Sequence, residues 1–371
     1  MSHYDENIET QNPIEEAPMY RPTLLLILFV LANVFGSVIY AQDDNCAQDC
    51  TTPSYGLTAS ELAEIEDVPL NYLDPNQTLM HDRRYMSVTG TTTVYDAPGG
   101  NVIRTIDQGF NYVTALEDAD GWTRINGDEW VQTANLTDVN WNVSAFTGIV
   151  LPEEMPTYTI AWALVNMYPS KIPGGTPSED FDLIYRYTEL HIFATETVDG
   201  FRWYQIGPDM WVHQHRVAKI IPLTEKPEGV DTEQWISIDL YEQVLIAYEN
   251  ERPVFATLVA TGLDRWPTYE GTFRIYYRAR REFMSWGTVG DDYYSLEEVP
   301  WTMYFDDGRA LHGAYWHDGF GYRRSHGCVN MSITDAHWLY QWVAEIMGSQ
   351  ASPDIEEGPF VHVYSSGTYD S

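Results

Sequence analysis

The chain has 371 residues, 44% hydrophobic and 14% aromatic, with 55 Asp and Glu against 20 Lys and Arg for a formal net charge of -35. That length allows two or three compact units with real cores, and the Tyr- and Trp-rich composition indicates globular, β-rich protein and excludes general disorder. The acidic excess repels phosphate backbones and anionic lipid surfaces, which excludes nucleic acid as a partner; it is spread along the chain and fits solubility outside a cell.

Residues 1–22 form an acidic N-terminal tail, within which Met19 offers an alternative start that would leave a short MYRP leader. Arg21 then precedes TLLLILFVLANVFGSVIYA, an uncharged run long enough to span a bilayer. Residues 23–42 are therefore expected to be a signal peptide or a transmembrane helix, with an imperfect cleavage site after Ala41. The next basic residue is Arg83, so the positive-inside rule exports everything after about residue 42, either anchored to the membrane through residues 23–42 or secreted to the wall. In that oxidising setting Cys46 and Cys50 are close enough in sequence to pair, which leaves Cys328 single. Residues 43–81 read as a polar linker with one helix-like stretch, ASELAEIE.

Two stretches then echo each other. Each has a Pro-Gly-Gly turn (Pro98-Gly99-Gly100; Pro173-Gly174-Gly175), short alternating strands, an Asp-Gly-aromatic turn (Asp120-Gly121-Trp122; Asp199-Gly200-Phe201) and a closing Trp-Val (Trp130-Val131; Trp211-Val212). This pattern predicts two small β-barrels, residues 82–138 and a divergent 150–225. They resemble bacterial SH3-like domains. Neither holds a catalytic cluster, so they are expected to tether the protein to the wall or to act as spacers rather than to join the chemistry.

From residue 233 the pattern changes to a β-meander: ISIDL alternates, and two further apolar runs follow, divided by a polar turn at 249–252. GTFRIYYRAR (271–280) reads as one strand, and FVHVY (360–364) as a strand able to close the sheet. One helix is expected, TDAHWLYQWVAEIMG, with Thr334 as cap, Trp338, Leu339, Trp342, Val343 and Ile346 on one face, and Gly348 as stop. His337 sits on that helix as a structural residue.

The chemistry concentrates in HGAYWHDGFGYRRSHGCVNM, residues 312–331. A thiol of ordinary pKa is a poor nucleophile at neutral pH unless an imidazole takes its proton. Gly327 lets the chain turn tightly, so that amide N–H groups can face a developing oxyanion, and the Ser325 hydroxyl can hold that turn. His312-Gly313 lies on a separate segment sixteen residues before Cys328. A zinc site of His312, His317, His326 and Cys328 is chemically conceivable, but it lacks the paired-ligand spacing of structural zinc.

SHGCVN preceded at this distance by His-Gly resembles the signature of the L,D-transpeptidase (YkuD-like) catalytic domain. The likeness covers residues 233–366, including IDLYEQVLIAYENERPVFATLVATG and, imperfectly, PTYEGTF (267–273). The resemblance implies a cysteine acyltransferase with no metal or organic cofactor. Cys328 would attack a tetrapeptide stem of peptidoglycan, expel D-Ala, and pass the acyl group from the thioester to an amine, giving a 3→3 cross-link. It assigns His312 as proton donor and acceptor, His326 and Ser325 as supporting residues, and the backbone N–H groups of Gly327 and Cys328 as oxyanion donors. His317, Arg323, Arg324 and Asn330 become candidate stem-peptide contacts; Asn330 stands where many relatives have Arg. Two other functions stay open, an L,D-carboxypeptidase or similar thioester hydrolase of the same fold, and a wall-binding surface protein whose catalysis is vestigial. Nothing in the sequence sets an oligomeric state.

Overall fold

The computed structural model describes residues 55–347 and 358–368. The expected membrane segment at 23–42, Cys46, Cys50 and Gly348 lie outside them. Among the described residues no helix is long and apolar enough to cross a membrane.

The centre is a seven-stranded sheet in the order Asn71–Tyr72, Ile149–Val150, Arg252–Leu258, Val244–Glu249, Gln234–Asp239, Phe360–Tyr364, Gly271–Arg274. Only Gln234–Asp239 and Phe360–Tyr364 pair in parallel, so FVHVY enters the interior of the sheet rather than its edge. Both faces are covered. Val244, Ile246 and Tyr248 point into one core with Ile160, Trp162 and Phe320, while Leu245 and Ala247 point into another with Met303, Leu311 and Val343. Burial on both sides is why VLIAY reads as a continuous apolar run and not as an alternation.

A second sheet carries the site. In it Val329–Met331 pairs with Arg309–Gly313, and that strand with Tyr294–Asp306, which also pairs with Tyr277–Trp286. GTFRIYYRAR is thus two strands, not one. The Ile275 N–H bonds the Pro359 carbonyl while the Tyr276 N–H bonds the Tyr304 carbonyl, so the chain changes sheets between neighbouring residues.

The helix Ile333–Met347 packs on this second sheet through buried Ile333, Ala336, Leu339, Tyr340, Trp342 and Val343, with Trp338 stacked on Phe255 at 4.1 Å. It starts one residue before the expected cap. Ser332 Oγ accepts from the Asp335 N–H at 3.1 Å and satisfies the first turn, whereas Thr334 lies inside the helix and its Oγ1 accepts from the Asn76 N–H.

The first module runs through seven strands from Arg84–Val88 to Leu136–Asp138, around a small core of Met86, Val88, Val94, Ile106, Val113, Ala115, Ile125 and Val131. The second consists of two three-stranded sheets, Thr159–Ala163 with Glu189–Ile192 and Val217–Lys219, and Ala194–Val198 with Phe201–Gly207 and Met210–His213. The two Asp-Gly pairs do the same work in each: Asp120 and Gly121 (φ 46° and 85°) and Asp199 and Gly200 (54° and 83°) are left-handed, the backbone of a tight hairpin turn.

Residues 55–81 do not hang free as the expected linker. ASELAEIE yields the helix Ala59–Leu62 with a capping box between Thr58 and Glu61. Leu57 exchanges two 2.7 Å hydrogen bonds with the Gln205 side chain, the Val68 N–H donates to the Tyr158 hydroxyl, and Met80 is buried in the core with Met303, Leu311 and Val343.

Candidate active site

Cys328 sits where two strands meet. Arg309–Gly313 and Val329–Met331 run in parallel with Leu311 beside Val329 and His312 beside Asn330, so the residue before Val329 falls next to the turn into the His312 strand. The sulfur lies 4.0 Å from the Gly308 carbonyl oxygen. The turn delivering it is held from several sides. Ser325 Oγ accepts from the Gly327 N–H (3.0 Å) and donates to the Cys328 carbonyl (2.5 Å). Thr268 Oγ1 donates to the Gly327 carbonyl (2.8 Å) and accepts from the Gly262 N–H (2.9 Å). The Thr261 carbonyl accepts from the N–H groups of Arg324 and Ser325. The ATG and PTYEGTF elements of the sequence therefore buttress the cysteine turn. The turn favours glycine at 327, since its φ of 111° lies in the left-handed region that residues with a Cβ rarely adopt.

This network corrects one expectation. The Gly327 N–H is taken up by Ser325 and does not face the cavity as an oxyanion donor. The hydroxyl that fixes the turn occupies it.

His312 is 2% exposed, and its Nδ1 lies 3.1 Å from the Gly313 carbonyl oxygen. A carbonyl oxygen only accepts, so Nδ1 carries the ring proton and Nε2 keeps the lone pair. Burial pushes the His312 imidazole down to about 4 and the Cys328 thiol up to about 11; the Ala310 N–H and the Arg309 charge pull the thiol more weakly the other way. Burial thus favours a neutral thiol beside a neutral imidazole, an imidazole free to accept the thiol proton.

The other predicted residues divide. His317 Nδ1 accepts from the Gly319 N–H at 3.0 Å, so its neutral ring is protonated on Nε2, and the Asn330 amide end 2.9 Å away is best read as the carbonyl oxygen. Both side chains are buried on the cavity wall, where the pair orients itself. His326 lies flat on Trp266 (ring centroids 3.7 Å apart), with Tyr294 at 5.1 Å and Trp286 at 6.1 Å. That aromatic clamp fixes its ring. Burial lowers its pKa, and Asp292 opposes the shift. Arg324 reaches the cavity, but Arg323 pairs with Asp264 at 2.5 Å and lines a neighbouring concavity. His337 packs beside Trp301, away from the site. Among the described residues no group of three or more His, Cys, Asp or Glu side chains could hold a metal.

The cavity above the sulfur encloses about 580 Å³ and is lined by His312, His317, Arg324, Ser325, His326, Cys328 and Asn330. Sequence reasoning missed the rest of its wall: Arg265, Met284, Leu296, Trp316, the hairpin residues 290–294, and residues 108–110 of the first module. The hairpin left a signal, the Gly- and Asp-rich turn WGTVGDDYY between aromatic strands. The module loop left none.

Residues 233–361 match the YkuD family, the L,D-transpeptidase catalytic domain. A curated protein of Bacillus subtilis (strain 168), YciB, provisionally designated an L,D-transpeptidase, is 24% identical over 136 residues, 33% of this chain and 66% of that protein, just under two thirds of its length. Among solved structures, an Enterococcus faecium L,D-transpeptidase is similar over 36% of this chain and 50% of that chain (23% identity, TM-score 0.30). One from Mycobacterium smegmatis is similar over 48% and 90% (19% identity, TM-score 0.31).

Proposed function

With residues 233–361 forming an L,D-transpeptidase catalytic domain, we propose that the protein is an exported, cysteine-dependent acyltransferase that makes 3→3 cross-links in peptidoglycan, held at the cell envelope or secreted to the wall, with SH3-like modules ahead of its catalytic domain. The observation that carries this reading is the convergence of Cys328 and His312, from adjacent parallel strands, on one cavity, with the His312 ring pinned by Gly313 so that Nε2 is its base. The family acts on peptidoglycan peptides, and each step has a residue here to carry it.

Cys328 Sγ attacks the carbonyl of the third stem residue as its proton passes to His312 Nε2. The C–N bond to D-Ala then breaks, and the departing amine takes that proton, leaving a thioester. An amine of a second stem attacks the thioester and gives its proton to His312. The C–S bond breaks and the sulfur recovers a proton, so enzyme and protons balance over the cycle. His312 suits the double duty because it approaches from its own strand, whereas His326 is clamped by Trp266. No step asks for a metal or cofactor.

A carbapenem, a strained acyl donor, should acylate the protein once, at Cys328, as read by intact mass. His312→Ala should slow that acylation by about 10² to 10⁴, the usual worth of a positioned acid–base group, while His326→Ala should lose melting temperature along with rate. An adduct that survives Cys328→Ala would place the nucleophile elsewhere. Wild-type acylation by His312→Ala beside a folded but dead His326→Ala would reverse the assignment of the base. With defined muropeptides, cross-linked dimers identify the transferase, and tripeptides alone identify a hydrolase.

A further inference from the structure

The cavity over Cys328 is not built from the catalytic domain alone. The first module's strand Phe110–Ala119 pairs in parallel with Tyr294–Asp306, Phe110 beside Tyr294, Asn111 beside Ser295 and Tyr112 beside Leu296. The Phe110 N–H donates to the Tyr293 carbonyl at 3.0 Å, and the Thr114 N–H donates to Glu297 Oε2 at 3.0 Å. Asn111 Nδ2 donates to the Asp107 carbonyl at 2.6 Å and closes the loop between. Contact at Gly109 is so close that a Cβ would stand 2.6 Å from the Tyr293 oxygen and 2.8 Å from its Cδ1. The loop is pressed against the hairpin that walls the site.

Its three residues, Gln108, Gly109 and Phe110, line the same cavity as His312 and Cys328. Phe110 is 47% exposed, an apolar ring left at the rim of an open cleft and backed edge-on by Tyr112 at 4.8 Å. Tyr112 in turn touches Tyr315 and Trp316, and the Trp316 ring lies 5.6 Å from that of His312. A continuous run of aromatic rings thus links the module's rim to the base. Asp291 and Asp292 of the hairpin and Arg265 line the same cavity.

From this we infer that residues 108–110 of the first module form part of the acyl-donor site, with Phe110 covering apolar atoms of the bound peptide and the Gln108 amide pairing with its backbone. The inference deepens the reading of the site as an acyltransferase on peptides and rests on it. The module is a specificity element that sets how a peptide enters; it adds nothing to proton transfer at Cys328, which lies deeper.

The test is steady-state transfer from a tetrapeptide donor by the full chain carrying Phe110→Ala or Gln108→Ala. Ile103→Ala, an exposed position of the same module that does not line the cavity, serves as control. Loss of contacts made equally to ground and transition states raises KM and leaves kcat. Phe110→Ala should raise the donor KM about tenfold, the scale of one lost apolar contact, and Gln108→Ala somewhat less. Alkylation of Cys328 by iodoacetamide, too small to span the rim, and the melting temperature should both match wild type. An active wild type whose KM is unchanged in both variants overturns the assignment. Equal KM increases in Ile103→Ala would do so as well, by tracing the effect to the module's fold. A wild type that alkylates normally but transfers nothing from the tetrapeptide overturns the reading of the site, and this assignment with it.

Discussion

The two β-modules share their turns and differ in how they join the catalytic domain. The first is joined by main chain: a parallel strand pairing makes its sheet and that of the cysteine one eleven-stranded sheet. The second is joined mainly by side chains: beyond a short main-chain pairing of Val150 and Leu151 with residues 254–255, Ile160, Trp162 and Ala218 pack on the far face of the seven-stranded sheet beside the buried ion pair of Lys219 and Glu242 at 3.2 Å. One joint borders the cavity, and the other packs against the seven-stranded sheet, whose strands do not line it. Modules with the same turn chemistry thus take on different work according to where they attach, and a repeat pattern in sequence carries no information about attachment.

The harshest way to break this comparison is to remove both modules. A protein of residues 226–371 loses Tyr85, Tyr112 and Val139 from one core and Ile160, Trp162 and Leu164 from the other. It should show no cooperative melting and no acylation at Cys328. Full acylation with a sharp melt would make the modules the separable tethers that their repeated turns suggest.

A gentler probe touches only the second joint. Lys219→Met leaves Glu242, itself 4% exposed, as an uncompensated buried carboxylate, and should cost about 3–5 kcal/mol of stability. Acylation of the folded fraction at 25 °C should stay at the wild-type rate. A matching loss of acylation rate in folded protein would show that this joint also shapes the site.

The smallest effect lies in the first joint and depends on pH. Burial pushes the Glu297 carboxyl, acceptor of the Thr114 N–H, up to about 7. With a folded pKa above the unfolded value, its stabilisation is fully present below about pH 4.5 and is lost as pH rises through 7. Glu297→Gln, always neutral, should therefore match wild type at pH 4.5 and exceed it by at most about 3 kcal/mol above pH 7. His312 and His317, both lowered by burial, to about 4 and about 3, contribute with the opposite sign below about 6.5, but they are common to both proteins and cancel in the difference. Melting curves that stay a constant distance apart from pH 4.5 to 8 would remove Glu297 from this role.

What could be read from the residues was local. Cys328 and His312, sixteen residues apart, together with the glycines between them, carry their chemistry in one short span. The period-3.6 face of the helix after residue 332 and the alternation of ISIDL are also set by near neighbours. The misses were decided at a distance. Ser332 replaced Thr334 as cap because the helix could start two residues earlier. The strand at 271–280 broke at Ile275 because Pro359 and Tyr304, on different sheets, compete for adjacent amides. Ser325 claimed the Gly327 N–H, a contact that residue types permit but do not dictate. The module rim depends on a register between residues 110–112 and 294–296, which no periodicity within either segment encodes.

The joint at residues 110–112 has a consequence for how such a protein can change. Its bonds run between peptide groups, so they are indifferent to which side chains the strand bears. Mutation can redraw the rim at Gln108 and Phe110, trying new side chains over the cavity, while the ladder that holds the module in place stays intact. Gly109 is the exception, since any larger residue meets the Tyr293 backbone. The fold thus offers two variable letters around one fixed letter at the rim of the cavity, and the rim can drift there while Cys328 and His312 stay put.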